Sequence, residues 1–123
     1  MALVVEAERR LRSHRGGPAL VDTITGNQDL ETFVDTLVSH GALWGAIEDG
    51  RPVAFAIVRD AVVEAVYVAP PARRRGVATQ VLTTLLALSD PPLDAYALPG
   101  DRATKSLYES IGWKARLLTM RGE

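Results

Sequence analysis

Two stretches of the chain repeat apolar side chains with the spacing of an amphipathic helix. The apolar positions of residues 28–40 are Leu30, Phe33, Val34, Leu37 and Val38. Those of residues 75–88 are Val77, Ala78, Val81, Leu82, Leu85 and Leu86. Intervals of three and four place these side chains along one face of an α-helix. The pattern therefore predicts two helices, the first ended by Gly41 and the second by the sequence SDPP.

Between these helices, three runs rich in apolar and β-branched residues predict three strands. They cover residues 42–48, 52–58 and 61–68. Asp49-Gly50 is typical of a two-residue hairpin turn, and Arg59-Asp60 stands at the next junction. Because turns this short join antiparallel strands, the three runs predict an antiparallel meander.

The rest of the chain predicts shorter elements. These are helices at residues 3–14 and 102–111 and strands at residues 19–24, 93–97 and 113–120. The strand at 93–97 follows a helix that crosses the sheet, and such a crossover gives parallel pairing. Asp101 is placed to cap the helix after it. The predicted fold class is α+β, with a mixed, mostly antiparallel sheet and one parallel β–α–β crossover.

Composition narrows the function classes. The chain has 123 residues, 47% hydrophobic and 24% charged, which predicts one globular domain over residues 1–123. A net charge of −1 argues against a nucleic-acid-binding surface. With no cysteine and two histidines, disulfides, nucleophilic cysteine and thiolate or histidine metal sites are excluded. No run has the length of a membrane span or the pattern of a signal peptide, so we expect a cytoplasmic protein.

A positively charged corner stands where the third strand meets the following helix. The sequence there, residues 66–78, is VYVAPPARRRGVA. The first N–H groups of a helix lack partners within the helix, and the helix dipole adds partial positive charge. Gly76 and Ala78 are small enough for an anion to approach the backbone, and three arginines supply countercharge. The corner therefore predicts a phosphate site, the alternative being a solvated basic loop; neither a Walker A nor a dinucleotide pattern is present.

This corner resembles the acetyl-CoA-binding segment of the GNAT acetyltransferase superfamily. In that family a strand ending in Val-x-Pro is followed by Arg/Gln-x-x-Gly-x-Gly/Ala at the start of a helix. The second part of the pattern reads Arg73-x-x-Gly76-x-Ala78 in this chain. On its own this six-residue signature is short, so a second block is needed to support it.

A second block, DRATKSLYESIGW at residues 101–113, is similar to the family's later segment. Four positions match: Leu107, Tyr108, Gly112 and Trp113. Asp101 stands where asparagine is usual, and Thr104 where a small residue is usual. The resemblance covers residues 42–118, the cofactor-binding core, and is strongest to the FR47-like branch. Residues 1–41 form a divergent helical part, so the resemblance implies a GNAT fold shortened at both ends.

The resemblance implies direct transfer of an acetyl group from acetyl-CoA to an amine in a ternary complex, without a metal. The diphosphate would contact the corner and the pantetheine arm would contact the strand before it. The implied binding residues are Tyr67, Val68, Ala69, Arg73, Arg74, Arg75, Gly76, Val77 and Ala78. Asp101 caps its helix first and is a pantetheine contact second, because a carboxylate cannot donate a hydrogen bond.

Two catalytic residues follow from the same resemblance. Tyr108 matches the tyrosine that protonates the leaving thiolate, and its alternative is a half-buried core residue. Glu64 matches the position of a base that takes a proton from the ammonium group, and partial burial would raise its pKa. Strand alternation places Glu64 on the face of Val66, so its alternative is an exposed position at a strand edge, with water as the base.

The acceptor is open in the sequence: a small-molecule or peptide amine fits the resemblance equally. Eleven residues after Gly112 leave room for one final strand rather than a hairpin. Leu117, Leu118 and Met120 on such an edge predict a homodimer. An acetyl-CoA-binding sensor without transferase activity is the second hypothesis, and an interaction domain without a ligand is the third.

Overall fold

The structure, a computed structural model, describes residues 1–90 and 92–122. Its helices are α1 (Ala2–Arg12), α2 (Gly17–Thr25), α3 (Leu30–Ser39), α4 (Val77–Leu88) and α5 (Arg102–Ser110). Its strands are β1 (Leu43–Glu48), β2 (Arg51–Arg59), β3 (Val62–Val68) and β4 (Asp94–Ala95). None of the described helices combines the length and the apolar character needed to cross a membrane.

The four strands form one sheet in the order β1-β2-β3-β4. The first three are antiparallel neighbours, and β4 pairs parallel to β3 after the α4 crossover. Both tight turns have positive φ at their two central residues: Asp49 and Gly50 in the first, Asp60 and Ala61 in the second. This geometry suits the twist of a two-residue hairpin. The α+β class, the meander and the parallel crossover are confirmed, with the second turn one residue later than predicted.

Helices cover both faces of the sheet. Helices α1 to α3 pack on one face, where Phe33 and Leu37 meet Phe55 and Ile57 of β2. Helices α4 and α5 pack on the other, where Leu82 and Leu85 meet Ala56 and Val63. The two apolar faces predicted for α3 and α4 are thus the surfaces that bury the sheet.

The prediction of a strand at residues 19–24 is wrong, because this segment lies inside α2. Pro18 stands in the first turn of that helix, where a proline loses no hydrogen bond. Val21, Ile24 and Thr25 are its buried side chains and have helical spacing. A short apolar run does not separate strand from helix by itself, and packing against α1 decides it here.

Gly17 is the tightest glycine of this helical pair. A Cβ on Gly17 would lie 1.7 Å from the backbone oxygen of Leu11, at the end of α1. We expect Gly17→Ala to lower the free energy of unfolding by about 2 kcal/mol, because backbone must move to make room. Urea unfolding measures this, with Gly100→Ala as the control, since no atom lies within 4 Å of the corresponding Cβ. Equal stability of the two variants would contradict the close contact.

The predicted final strand at residues 113–120 is also wrong. In the described chain, residues 113–122 form neither helix nor strand, and Leu117, Leu118 and Met120 are exposed. The physical reason is that β4 has only two residues, which offers too short an edge for a further strand. One ion pair, between Arg116 and Asp94 at 3.5 Å, places this segment beside β4.

Candidate functional site

Strands β3 and β4 part soon after they meet. They pair only at Val62 and Val63, so within the described residues the later part of β3 has no strand on that side. Ala69 donates to the carbonyl of Val53 in β2 at 2.8 Å. Since backbone groups alternate in direction along a strand, the N–H and C=O groups of Val66 and Val68 point to the free edge. These groups can pair with the amides of an extended ligand.

The predicted phosphate corner follows directly after β3. A short 3₁₀ turn, Pro70–Ala72, reverses the chain, and Gly76 precedes α4 in the left-handed conformation with φ 74° and ψ 12°. Arg74 also has a positive φ of 66°. Among the described residues, none accepts a hydrogen bond from the N–H groups of residues 74–79. Six consecutive N–H donors that no described residue pairs with, at a helix start, suit an anion.

The three arginines of the corner point in different directions. Arg75 forms two hydrogen bonds with the Glu48 carboxylate of β1, at 2.8 and 3.1 Å. Arg73 donates from Nε to the carbonyl of Val68 at 2.9 Å. Arg74 is exposed and makes no side-chain hydrogen bond or ion pair with the described residues. In this structure, therefore, the three guanidinium groups of the corner do not converge on one position.

A narrow pocket with about 30 Å³ of free space lies where β3 and β4 part. Glu64 and Tyr67 of β3 line one side, and residues 96–98 line the other. Arg10 of α1 and Asp101 before α5 close it. The space is sufficient for a water molecule. The pocket thus joins the free edge of β3 to the start of α5.

Glu64 is the extra residue of a β-bulge in β3, since Ile57 pairs with Ala65 and Val58 pairs with Val63. Arg59 donates from its Nε to Oε1 of Glu64 and from a terminal nitrogen to Oε2 at 3.1 Å. These hydrogen bonds raise the pKa of Arg59. The paired carboxylate is one of two carboxylates that line the pocket, the other being that of Asp101.

The bulge corrects two expectations about Glu64. Arg59 also bonds the carbonyl of Ile24 and lies 5.2 Å from the centre of the Phe33 ring, on the face of helices α1 to α3. Glu64 is therefore not on the face of Val66, which packs with α4 and α5. Nor is it at an exposed edge, because its side chain is 12% exposed. Strand alternation fails here because a bulge changes the direction of the following side chains.

Asp101 caps α5, as predicted. Its carboxylate accepts from the N–H of Thr104 at 3.2 Å and from its hydroxyl at 2.7 Å. Arg10 and His14 approach the same buried carboxylate at 4.0 and 3.9 Å. The residue thus links α1 and the segment before α2 to α5, and its contact with a pantetheine arm stays a prediction.

We expect Asp101→Ala to lower the free energy of unfolding by about 1 to 2 kcal/mol, the range for loss of a helix cap. Asp101→Asn is the matched control, because its side-chain oxygen can still accept from Thr104. Urea unfolding of both variants separates the two contributions. If asparagine were as costly as alanine, the ion pair with Arg10 would dominate rather than the cap.

Tyr108 lies on α5, one helical turn after Thr104, which lines the pocket. Its ring stacks on Trp113 with the centroids 5.3 Å apart. The hydroxyl is buried and has no hydrogen-bond partner in the described structure. Burial, and then the Asp101 charge, raises the pKa of this hydroxyl. A proton donor without a partner among the described residues is therefore buried on α5, in the cluster that packs against α4.

Sequence reasoning missed three residues of the site that approach its carboxylates: Arg59, Arg10 and His14. Arg59 had a signal, because it faces Val62 across the tight turn and Glu64 follows two residues later. Arg10 and His14 gave none, since their approach to Asp101 depends on how α1 crosses the sheet.

Among the solved structures that resemble this fold are three acetyltransferases. One is the aminoglycoside N-acetyltransferase AAC(6')-Iy in complex with CoA, at 15% identity and TM-score 0.63, with 85% of this chain and 84% of that chain covered. Another is the ribosomal-protein-alanine N-acetyltransferase of Brucella melitensis biovar Abortus 2308, at 20% identity and TM-score 0.56, with 83% of this chain and 89% of that chain covered. The third is an aminoglycoside acetyltransferase from an uncultured soil metagenomic sample, at 22% identity and TM-score 0.58, with 83% of this chain and 79% of that chain covered. At these identities the likeness shows a common fold.

The sequence comparison is more specific. No curated protein sequence matches the chain. The model of the acetyltransferase (GNAT) domain matches residues 39–115, more than half of the chain, and includes both the phosphate corner and the block around Tyr108. The match confirms the superfamily and leaves the FR47-like branch a prediction. The chain belongs to the GNAT acetyltransferase family.

Proposed function

We propose that this chain transfers an acetyl group from acetyl-CoA to an amine by direct attack. The observation that carries the proposal is the position of two unpaired backbone surfaces at one strand end. The N–H groups of residues 74–79 suit a diphosphate, and the free edge of β3 suits the amides of a pantetheine arm. Diphosphate and pantetheine are neighbouring parts of CoA, and the two surfaces follow the order of these parts.

The pantetheine arm would run along β3 from the corner toward the pocket. Val66 and Val68 offer it backbone donors and acceptors, as a neighbouring strand would. The thioester would then reach the pocket that Glu64 lines, next to Thr104 of α5, which precedes Tyr108 by one helical turn. The proposal thus requires the reacting carbonyl to lie between the Glu64 carboxylate and the Tyr108 hydroxyl.

The chemistry requires two proton movements. Glu64 would take a proton from the ammonium group, since only the neutral amine has a lone pair for attack. The nitrogen of the neutral amine then bonds to the carbonyl carbon of the thioester, and the carbon–sulfur bond breaks. The thiolate takes the proton of Tyr108, and the second proton lost by the nitrogen restores that tyrosine. Glu64 releases the first proton to the solvent, so that one proton leaves in each cycle. Glu64 fits the first role because Asp101, the other carboxylate of the pocket, is committed to the cap of α5.

Ligand binding tests the proposal first. Acetyl-CoA at one hundred times its dissociation constant should stabilise the chain by about 2.7 kcal/mol, measured as a rise in the unfolding temperature. Release of CoA in the presence of a panel of small-molecule and peptide amines then tests transfer. A chain that neither acetyl-CoA nor CoA stabilises would contradict the proposal.

A second function, an acetyl-CoA sensor that regulates a protein partner, has one observation in its favour. Residues 113–122 form no strand, and helices α1 and α2 leave little free space in the pocket. In the predicted homodimer, a second copy of the chain would supply the missing part of the acceptor site. Binding of acetyl-CoA without CoA release from any amine, at every protein concentration, would favour the sensor over the enzyme.

A further inference from the structure

Arg73 occupies the free edge of β3. The 3₁₀ turn Pro70–Ala72 brings the chain back, so that the Arg73 Nε donates to the carbonyl of Val68 at 2.9 Å. Its guanidinium carbon lies 5.4 Å from the centre of the Tyr67 ring. Val68 is one of the two residues whose backbone groups face the free edge. The arginine therefore stands where the first amide of a pantetheine arm would bind.

The Tyr67 ring under this arginine is itself held in place. Its hydroxyl donates to the carboxylate of Glu6 in α1 at 3.2 Å. The ring thus gives the guanidinium a fixed aromatic face, which attracts a cation. Two contacts, one to a carbonyl and one to a ring, keep Arg73 along the strand.

We infer that Arg73 makes binding of the pantetheine arm conditional on the diphosphate, and so selects thioesters of CoA over thioesters of pantetheine alone. The inference rests on the proposed function. A diphosphate on the N–H groups of residues 74–79 lies next to Arg73 and offers it charged oxygens. A guanidinium can bind phosphate oxygens with two parallel hydrogen bonds and gains the attraction of opposite charges, which a neutral carbonyl does not offer. Arg73 then leaves Val68, and the strand edge opens to the arm.

A pantetheine thioester without the diphosphate lacks this exchange. It must displace the guanidinium from Val68 and Tyr67 while offering no anion in return. Neither of the other arginines can make the same selection. Arg75 is paired with Glu48, and Arg74 makes no contact with the β3 edge. The discrimination thus depends on a single side chain.

Arg73→Ala tests the inference, with Arg74→Ala as the matched control. Calorimetry measures the affinity of each variant for acetyl-CoA and for S-acetylpantetheine. In Arg73→Ala we expect acetylpantetheine to bind about tenfold tighter and acetyl-CoA about tenfold weaker, each a change of about 1.4 kcal/mol. In Arg74→Ala we expect weaker binding of acetyl-CoA and unchanged binding of acetylpantetheine.

Two results would overturn the inference. If Arg73→Ala changed both affinities in the same direction, or left that for acetylpantetheine unchanged, Arg73 would not close the edge, while acetyl-CoA binding by the natural chain would leave the proposed function standing. If the natural chain bound neither ligand, the proposed function and the inference would fail together. Because the contacts of Arg73 with Val68 and Tyr67 stabilise the folded chain, its replacement should lower the unfolding temperature slightly, and the same samples verify that the variant remains folded.

Discussion

Tyr108→Phe should slow acetyl transfer about a hundredfold and, in the same protein, raise the free energy of unfolding by about 1 kcal/mol. The rate falls because the thiolate loses its proton donor, a contribution of at least this size for general acids. The stability rises because the hydroxyl is buried without a hydrogen-bond partner, which costs free energy in the folded state. CoA release and urea unfolding measure the two effects.

The opposite directions of these changes make the prediction specific. A tyrosine that serves only packing would change neither the rate nor the affinity for acetyl-CoA when its hydroxyl is removed. If the rate were unchanged, Tyr108 would not be the acid. If the affinity fell together with the rate, its role would be in binding.

The same hydroxyl gives the stability a dependence on alkaline pH. An unfolded tyrosine ionises near its ordinary pKa of about 10. Burial, followed by the Asp101 charge, raises the pKa of Tyr108 in the folded chain. The unfolded state therefore loses its proton first, and the free energy of unfolding falls as pH rises above about 10. Tyr108→Phe should remove most of this fall and leave the remnant due to Tyr67, whose pKa burial also raises.

Glu64→Gln should lower the rate of transfer about a hundredfold near neutral pH, because the amide cannot take the ammonium proton. The rate should recover as pH approaches the pKa of the free amine, where the neutral form is supplied by the solvent. A profile of kcat against pH measures both features.

Arg59→Gln is the matched control, since it removes the partner of Glu64 and leaves the carboxylate in place. We expect a loss within about tenfold, because the base survives while its position is less fixed. If both variants lost activity equally and neither recovered at high pH, the pair would serve to hold the bulge rather than to move a proton.

Sequence pattern was sufficient where an element has a long, regular face or a turn with special chemistry. The helices around Phe33 and Leu82 and the hairpin at Asp49-Gly50 are of this kind. The pattern was insufficient where packing against a neighbouring element determines the secondary structure. The segment with Val21 is helical because α1 offers it a surface, and the segment with Leu117 is not a strand because β4 is too short to pair with it.

The candidate site divides in the same way. The unpaired N–H groups before α4 follow from local sequence, since a glycine and a helix start create them wherever the chain goes. The surroundings of Glu64 and Asp101 do not follow from local sequence. A bulge changes the direction of the Glu64 side chain, and Arg10 and His14, which are distant in sequence, approach Asp101. Side-chain partners across the fold are tertiary facts, and no periodicity encodes them.

The single extra residue in β3 has one more consequence, for the direction in which the backbone groups of this strand point. Before it, the carbonyls of Ala61 and Val63 bond to β4; after it, Val66 and Val68 face outward instead. The backbone groups of odd-numbered residues thus bond to a protein strand before the bulge, and those of even-numbered residues are left for a ligand after it. The side chains of Val63 and Val66 nevertheless pack against the same helices, α4 and α5. Removing Glu64 would restore a single parity and leave Val66 and Val68 directed to the free edge, with Val63 and Val66 on the same face. A strand one residue shorter would thus keep its open edge and lose the carboxylate beside it.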